Sequence, residues 1–371
     1  SPAWSHRARQ SCMVRSEWPI PFQDLSGRCA SWGPASMNAT EGSLVARSDR
    51  GAVDLAVTGQ TRLVGVMGWP VAHSMSPTMH NAVLRTLGLD WCYVPLPVRP
   101  GSIEDAVRGM AALGFHGVNV TVPHKRAVMA LLDEVTPEAV AVGAVNTITV
   151  KCDMHGTSTL YGDNTDVAGF LGSLRAGGVR SGGFEPDSAR CAVVVGAGGA
   201  ARAVVYALLT TTIGTVIVLN RSLERAESLI SDLTVSGVAA ERARAARLTP
   251  QTLLDAVHNA DLLVNATTVG MWPESQASIW PDGECLPERL TVYDLVYNPL
   301  ETQLLAQARL YGAAAIDGLG MLARQGAVAL NLWLGGTLDI DRTTVQMRRQ
   351  VEEQMRGEVD RTLSDLAPEH Q

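Results

Sequence analysis

Three observations predict an α/β protein of two domains. At 371 residues the chain is longer than a single hydrophobic core usually serves. From residue 61 onward, short apolar runs alternate with helical patterns, the order that builds a parallel or mixed sheet covered by helices. The alternation breaks at a linker-like stretch, SGGFEPDSA at residues 181 to 189, and then begins again. An α/β domain with a mixed sheet, followed by a doubly wound one, leaves a cleft between them, which is a usual seat for a ligand.

The first alternation opens with TRLVGVMG, an apolar run closed by glycine. SPTMHNAVLRTLG enters a helix through Ser-Pro, where the N–H that proline lacks has no helical partner anyway, and stops at Gly88. DWCYVPLPV reads as a strand, SIEDAVRGMAALG as a helix, FHGVNVTVP as a strand and HKRAVMALLD as a helix. Lys125 therefore stands just past the carboxyl end of a strand, where open α/β sheets receive ligands. HGTSTLYGDNTDVAGF reads as a polar, glycine-rich stretch and FLGSLRAGG as helical. In the second alternation CAVVV (191 to 195) is a buried strand, AARAVVYALLT a helix and TVIVLN (215 to 220) a strand. ADLLVNAT (260 to 267) and TVYDLVY (291 to 297) are two more strands, and AAAIDGLGML with QGAVALNLWLGG reads as a strand followed by an apolar helix. After residue 341 the chain turns polar, with Val351, Met355, Val359 and Leu363 four residues apart, a narrow stripe that predicts a surface helix.

Composition narrows the function classes. Hydrophobic residues make up 46% and charged residues 18%, the balance of a folded globular protein, and no run reaches the roughly 18 to 20 apolar residues of a membrane span. A net charge of −7 without any basic block argues against a nucleic-acid partner and for a small-molecule ligand. Cys12, Cys29, Cys92, Cys152, Cys191 and Cys285 form no C-x-x-C pair, so the expectation is reduced thiols in a cytoplasmic protein, without a disulfide framework or a metal site. Residues 1 to 60 have no sustained period and read as a poorly ordered extension. Arg7, Arg9 and Arg15 among serines give a weak likeness to an organelle transit peptide, but no amphipathic pattern accompanies them, which favours sequence upstream of a true start.

GAGGAA, residues 196 to 201, follows a strand and opens a helix, the context that makes G-x-G-x-x-A a dinucleotide-binding signal of the Rossmann type. Gly196 permits the tight turn, Gly198 lets the backbone approach a diphosphate, and Ala201 allows close helix packing. Ala197, Gly199 and Ala200 complete the turn at the helix amino terminus, whose N–H groups favour an anion. The next strand ends at Asn220, where an NAD enzyme usually carries a carboxylate for the ribose diol. Here the chain reads NRSLER. Arg221, Ser222 and Arg225 suit a 2′-phosphate, so the expected cofactor is NADP.

Lysine is rare in this chain. Lys125 and Lys151 are the only two among thirty basic residues, and a lysine, unlike an arginine, can give up its proton near neutral pH. Lys125 ends NVTVPHK, one of four polar clusters with HSMSP (73 to 77), AVNT (144 to 147) and GDNTD (162 to 166). Singly, Ser76 and Asp166 read as helix caps and Asn146 and Thr147 as a turn. Together, upstream of the nucleotide motif and followed by DLVYNP and DGLGMLARQGA, the clusters resemble the shikimate dehydrogenase family over roughly residues 61 to 340.

The resemblance implies NADPH-dependent reduction of 3-dehydroshikimate to shikimate, a reversible step of chorismate and aromatic amino acid biosynthesis. It implies that Ser74 and Ser76 hold the substrate carboxylate, that Asn119, Thr121, Asn146 and Gln325 meet ring hydroxyls, and that Tyr297 lies nearby. Lys125 is the implied proton donor to the forming alcohol, paired with Asp166. Leu295 and Gly318 fall in the implied cofactor site; Leu295 stands where some members carry methionine, and Trp272 follows a Gly-Met pair where a small or variable residue is expected. The implied partition is a substrate domain of residues 61–163 and 320–340, a Rossmann domain of 164–319, and a polar helix or tail from 341 to 371, in a monomer or homodimer. Rivals are an NAD-linked quinate/shikimate dehydrogenase, disfavoured by Arg221 and both serines, and a non-catalytic ligand sensor, disfavoured by the Lys125 and Asp166 pair. A folate-linked dehydrogenase of similar build lacks a reason for the full carboxylate-and-hydroxyl set.

Overall fold

Two six-stranded sheets, each carrying its own helices, form the body of the protein, for which a computed structural model describes residues 57–177, 184–238 and 240–366. The extension expected over residues 1 to 60 thus lies outside the described residues up to position 56, as do positions 181 to 183 of the linker.

The first lobe runs β1 (Arg62–Gly68), α1 (Ser76–Thr86), β2 (Trp91–Pro97), α2 (Ile103–Ala112) and β3 (Gly117–Val120). A 3-10 segment, Ala127–Leu131, leads to β4 (Glu134–Val135), α3 (Pro137–Val142), β5 (Thr147–Cys152), β6 (Ser158–Asp163) and α4 (Asp166–Ala176). Its strand order is β2-β1-β3-β5-β6-β4, parallel through β1, β2 and β3, with β5 antiparallel to both β3 and β6. The sheet is mixed, as expected, but two local readings change. HKRAVMALLD holds only a short 3-10 turn, Ala127–Leu131, in which Val128 alone is buried, and Leu132 is already extended toward the next strand. The polar stretch around residue 160 holds β6, half of a hairpin whose turn is fastened by Asp153 Oδ1, which accepts from His155 N and Thr157 N at 2.8 Å each. Its alternation is faint because Leu160 is the single large apolar residue on the inward face, flanked there by Ser158 and Gly162.

The second lobe runs β7 (Cys191–Val195), α5 (Gly199–Leu209), β8 (Thr215–Asn220), α6 (Leu223–Val235), β9 (Ala243–Arg247), α7 (Pro250–Val257), β10 (Leu262–Asn265), β11 (Thr291–Asp294), α8 (Gln303–Leu310) and β12 (Ala314–Ile316). All its pairings are parallel and the order is β12-β11-β10-β7-β8-β9, which reverses direction at β7. That is the doubly wound arrangement, with the glycine turn after β7 at the point where the order switches. Its central strands β7 and β10 are buried on both faces, and Ala192 through Val195 are wholly covered.

Two helices close the chain, and the first of them joins the lobes. α9 (Leu319–Trp333) leaves β12 and returns to the first sheet, where the Trp333 indole donates to Ile148 O at 3.1 Å and lies where any Cβ on Gly117 would strike it. α10 (Ile340–Leu366) packs along α1 and α9. Met347 and Val351 on its stripe are 0% exposed, so this helix belongs to the core of the first lobe rather than to its surface; the side chains of Val359 and Leu363 lie outside the described residues. Among the described residues no helix is long and apolar enough to cross a membrane.

Candidate active site

A cavity of about 180 Å3 opens between the two sheets at their carboxyl ends. Ser74, Ser76, Asn119, Thr121 and Lys125 line it from the first half of the first lobe. Asn146 and Asp166 follow from its second half, and Tyr297 and Gln325 from the end of the second sheet and from α9. All nine residues expected for substrate and proton transfer therefore face one space.

Each is placed by local structure. Ser76 is the first residue of α1 and its N–H donates to Ser74 Oγ at 3.3 Å, which holds the two hydroxyls side by side. Asn119 sits on β3 opposite Thr147 of β5, so its side chain rises from the sheet next to the Thr147 hydroxyl, to which it donates at 3.1 Å. Tyr93, a strand residue that periodicity assigns only to the core, donates its hydroxyl to Asn119 Oδ1 at 2.8 Å. Asn146 is 2% exposed: its Oδ1 accepts from Thr165 N at 2.8 Å, and its Nδ2 donates to Asp166 Oδ1 at 2.9 Å. Burial pushes the Tyr297 phenol up from its ordinary pKa while the Met75 backbone bonds it.

The centre of the site is an ion pair. Lys125 Nζ donates to Asp166 Oδ2 at 2.7 Å, with the two side chains only 14% and 6% exposed. Asp166 opens α4, so its carboxylate stands at the positive end of that helix as well as beside the ammonium. With Asp166 held on both oxygens, the lysine keeps further N–H bonds free to aim at a ligand oxygen.

The second lobe brings its nucleotide turn to the same place. Gly196 takes φ +119, a left-handed value open to glycine, and a Cβ there would lie 2.9 Å from Ala266 O. Gly198 caps α5 without any side-chain bond, and a Cβ on it would meet nothing within 4 Å, so open space lies where a diphosphate would approach the helix N–H groups. Ala201 is fully buried and serves packing. Gly199 approaches the lysine so closely that its Cβ would be 3.1 Å from Lys125 Cδ. Ala200, Leu295 and Gly318 line the cavity itself, whereas Ala197 stays in the turn behind them. The donor set fits a dinucleotide.

Asn220, Arg221, Ser222 and Arg225 are not at the cavity but on the neighbouring turn after β8. Asn220 Nδ2 donates to Ser222 O at 2.8 Å, Ser222 Oγ caps α6, and both arginines are exposed. Sequence reading missed a third cation there. Arg247 at the end of β9 pairs in register with Asn220 and its guanidinium donates to Arg221 O at 3.2 Å; only strand pairing reveals that neighbour. Trp272 does not line the cavity: it is 49% exposed, its ring tilted against His73 at 4.7 Å.

Comparison with known proteins covers both lobes. The family model of the shikimate dehydrogenase substrate binding domain matches residues 66–148, and that of shikimate / quinate 5-dehydrogenase matches residues 184–271. A shikimate dehydrogenase (NADP(+)) of Geobacter metallireducens is 45% identical over 280 residues, spanning 75% of this chain and 93% of the relative. The crystal structure of a Thermus thermophilus shikimate 5-dehydrogenase with NADP(H) and shikimate superposes with a TM-score of 0.64 at 39% identity, covering 78% of this chain and 99% of that one. A quinate dehydrogenase of Corynebacterium glutamicum in complex with NAD gives 0.67 at 31% identity, covering 79% and 99%. A mixed sheet and a doubly wound sheet sharing one polar cleft, matched along both lobes, lead to one conclusion: the chain belongs to the shikimate dehydrogenase family.

Proposed function

We propose that this protein is an NADP-dependent shikimate dehydrogenase, reducing the ketone of 3-dehydroshikimate to the hydroxyl of shikimate and catalysing the reverse. The observation that carries the reading is the Lys125 and Asp166 pair, closed at 2.7 Å at the meeting point of a hydroxyl-and-amide cavity and a glycine turn. Ser74 and Ser76 donate hydroxyls to the carboxylate. Asn119, Thr121, Asn146 and Gln325 meet the ring hydroxyls, with Tyr297 beside them, a donor and acceptor set that matches a polar ring better than an apolar one.

When bound, NADPH supplies the hydride. Reduction builds negative charge on the carbonyl oxygen, and the Lys125 ammonium both stabilises that charge and protonates it; in the reverse direction the neutral amine takes the proton back. Asp166 keeps the lysine aimed, and Asn146 keeps Asp166 in place. The glycine turn, Leu295 and Gly318 would hold the nicotinamide half of the cofactor, and Arg221, Ser222 and Arg225 the 2′-phosphate. The same reading places the enzyme in the cytoplasm as a monomer or homodimer, with a substrate domain of residues 61–163 and 320–340 around a cofactor domain of 164–319.

Incubating the purified protein with shikimate or quinate and with NADP or NAD, while following the reduced nicotinamide by absorbance, tests the proposal. Turnover of shikimate with NADP far above every other combination is the expected result. Faster turnover of quinate with NAD would replace this reading with the degradative one, and no turnover at all would favour a ligand sensor.

A further inference from the structure

The nucleotide motif carries a charged residue to which the chemistry above gives no task. Arg202, in the first turn of α5, is 2% exposed and lies outside the cavity. Its Nε donates to Val142 O at 2.9 Å, the last residue of α3 in the first lobe. Its terminal nitrogen donates to Asp232 Oδ2 of α6 at 2.7 Å. Gly143, which ends α3 in a left-handed conformation at φ 70, makes room for it: a Cβ there would sit 2.7 Å from the guanidinium.

Three further contacts tie this arginine to the reaction centre. Asp232 is also 3.7 Å from Arg126, the residue next to Lys125. Gly199, three positions before Arg202 and so on the same face of the helix, packs against the Lys125 side chain. Val145 N, just past α3, donates to Lys125 O at 2.8 Å. The first turn of α5 thus meets the first lobe at two points, one against the lysine and one fastened by the arginine. For charge alone, Asp232 would suffice as a partner. The bond to Val142 O is the part that crosses between lobes, and a guanidinium makes both bonds at once with its rigid fork where an ammonium on a flexible stem does not.

We propose that Arg202 is a positioning residue for hydride transfer, registering the dinucleotide-binding turn against Lys125 by clamping α5 to the end of α3. The proposal rests on the ketone-reducing reading of the site, and its test separates the two. In rapid mixing of the full-length Arg202→Lys protein, NADPH and 3-dehydroshikimate, the single-turnover rate constant for NADPH oxidation should fall about tenfold or more, as small misplacements of reacting groups do. The KM for 3-dehydroshikimate should change far less. A merely structural role would lower the amplitude, which counts folded enzyme, and leave the rate constant alone. Arg202→Ala should recover part of its rate constant when millimolar guanidinium is added. Should either arginine variant fail to fold, Asp232→Asn removes the carboxylate that aims the guanidinium at Val142 O, so it loosens that bond and should slow the single turnover in the same direction, though less. A wild-type rate constant in folded Arg202→Lys, or in Asp232→Asn if only that protein folds, overturns the clamp; absence of turnover in the unmodified protein overturns the functional reading instead.

Discussion

Lys125 and Asp166 stand 41 positions apart in the chain and 2.7 Å apart in space. Read alone, the aspartate is a helix cap; the structure instead puts Thr165 at the cap position and Asp166 in the first turn of α4, and the ion pair gives it a task that no local pattern could reveal. If Lys125 is the proton donor, Lys125→Ala should lower kcat by roughly 10²- to 10⁴-fold with a much smaller change in KM. Steady-state rates that stay above about a tenth of the parent would remove the lysine from that role. Arg221 and Arg225 make a different kind of claim. Each charge-assisted bond to a phosphate is worth about 1.5 to 3 kcal/mol, so Arg221→Ala should raise the KM for NADP roughly tenfold to a hundredfold and leave that for NAD nearly unchanged. Equal effects on both cofactors would detach the residue from the 2′-phosphate. The residues that sequence reading passed over, Tyr93 and Arg247, reach the site through strand pairing and through the reach of a long side chain, and neither leaves a mark in the linear pattern.

Elements were legible wherever burial was two-sided or amphipathic. The strands β7, β8, β10 and β11 read directly as apolar runs because helices cover their faces, whereas β9, ARAAR at the sheet edge, carries no such run. The hairpin of β5 and β6 did not, since its outward face is polar and its turn chemistry lies in the Asp153 carboxylate rather than in an Asn-Gly pair. α10 was read as a surface helix because its apolar stripe is one residue wide; the stripe nevertheless fills the groove between α1 and α9 with Met347 and Val351 at 0% exposure. Met347→Ala should therefore cost about 2 to 5 kcal/mol of stability, as core truncations do, measurable as a lowered urea midpoint. A midpoint shift below about 0.5 kcal/mol equivalent, the range of surface substitutions, would return the helix to the periphery.

Across the whole molecule, two buried groups set opposing pH dependences. Burial pulls His80 down from 6.5 to about 4, so it is neutral when folded, and the stability this gives is complete above pH 6.5 and lost as pH falls toward 4. Burial pushes Asp294 up from 3.8 to about 6 against hydrogen bonds from Thr302, Val296 and Asn265, so its contribution is present below pH 3.8 and lost as pH rises through 6. At 1.4 kcal/mol per unit each is on the order of 3 kcal/mol, and the two largely offset one another over the same interval. Urea titrations at several pH values should find His80→Phe gaining on the parent as pH drops from 6.5 to 4, and Asp294→Asn gaining as pH climbs from 4 to 6. Parallel curves for parent and variants would contradict both. The return of α9 to the first sheet has a consequence in time. Gln325 faces the same cavity as Asn146 but lies 179 positions later, so at roughly 5 to 20 residues per second a ribosome delivers it about 10 to 35 seconds after its neighbour. A nascent chain can complete its nucleotide-binding sheet during that delay while the pocket for the other ligand still lacks a wall.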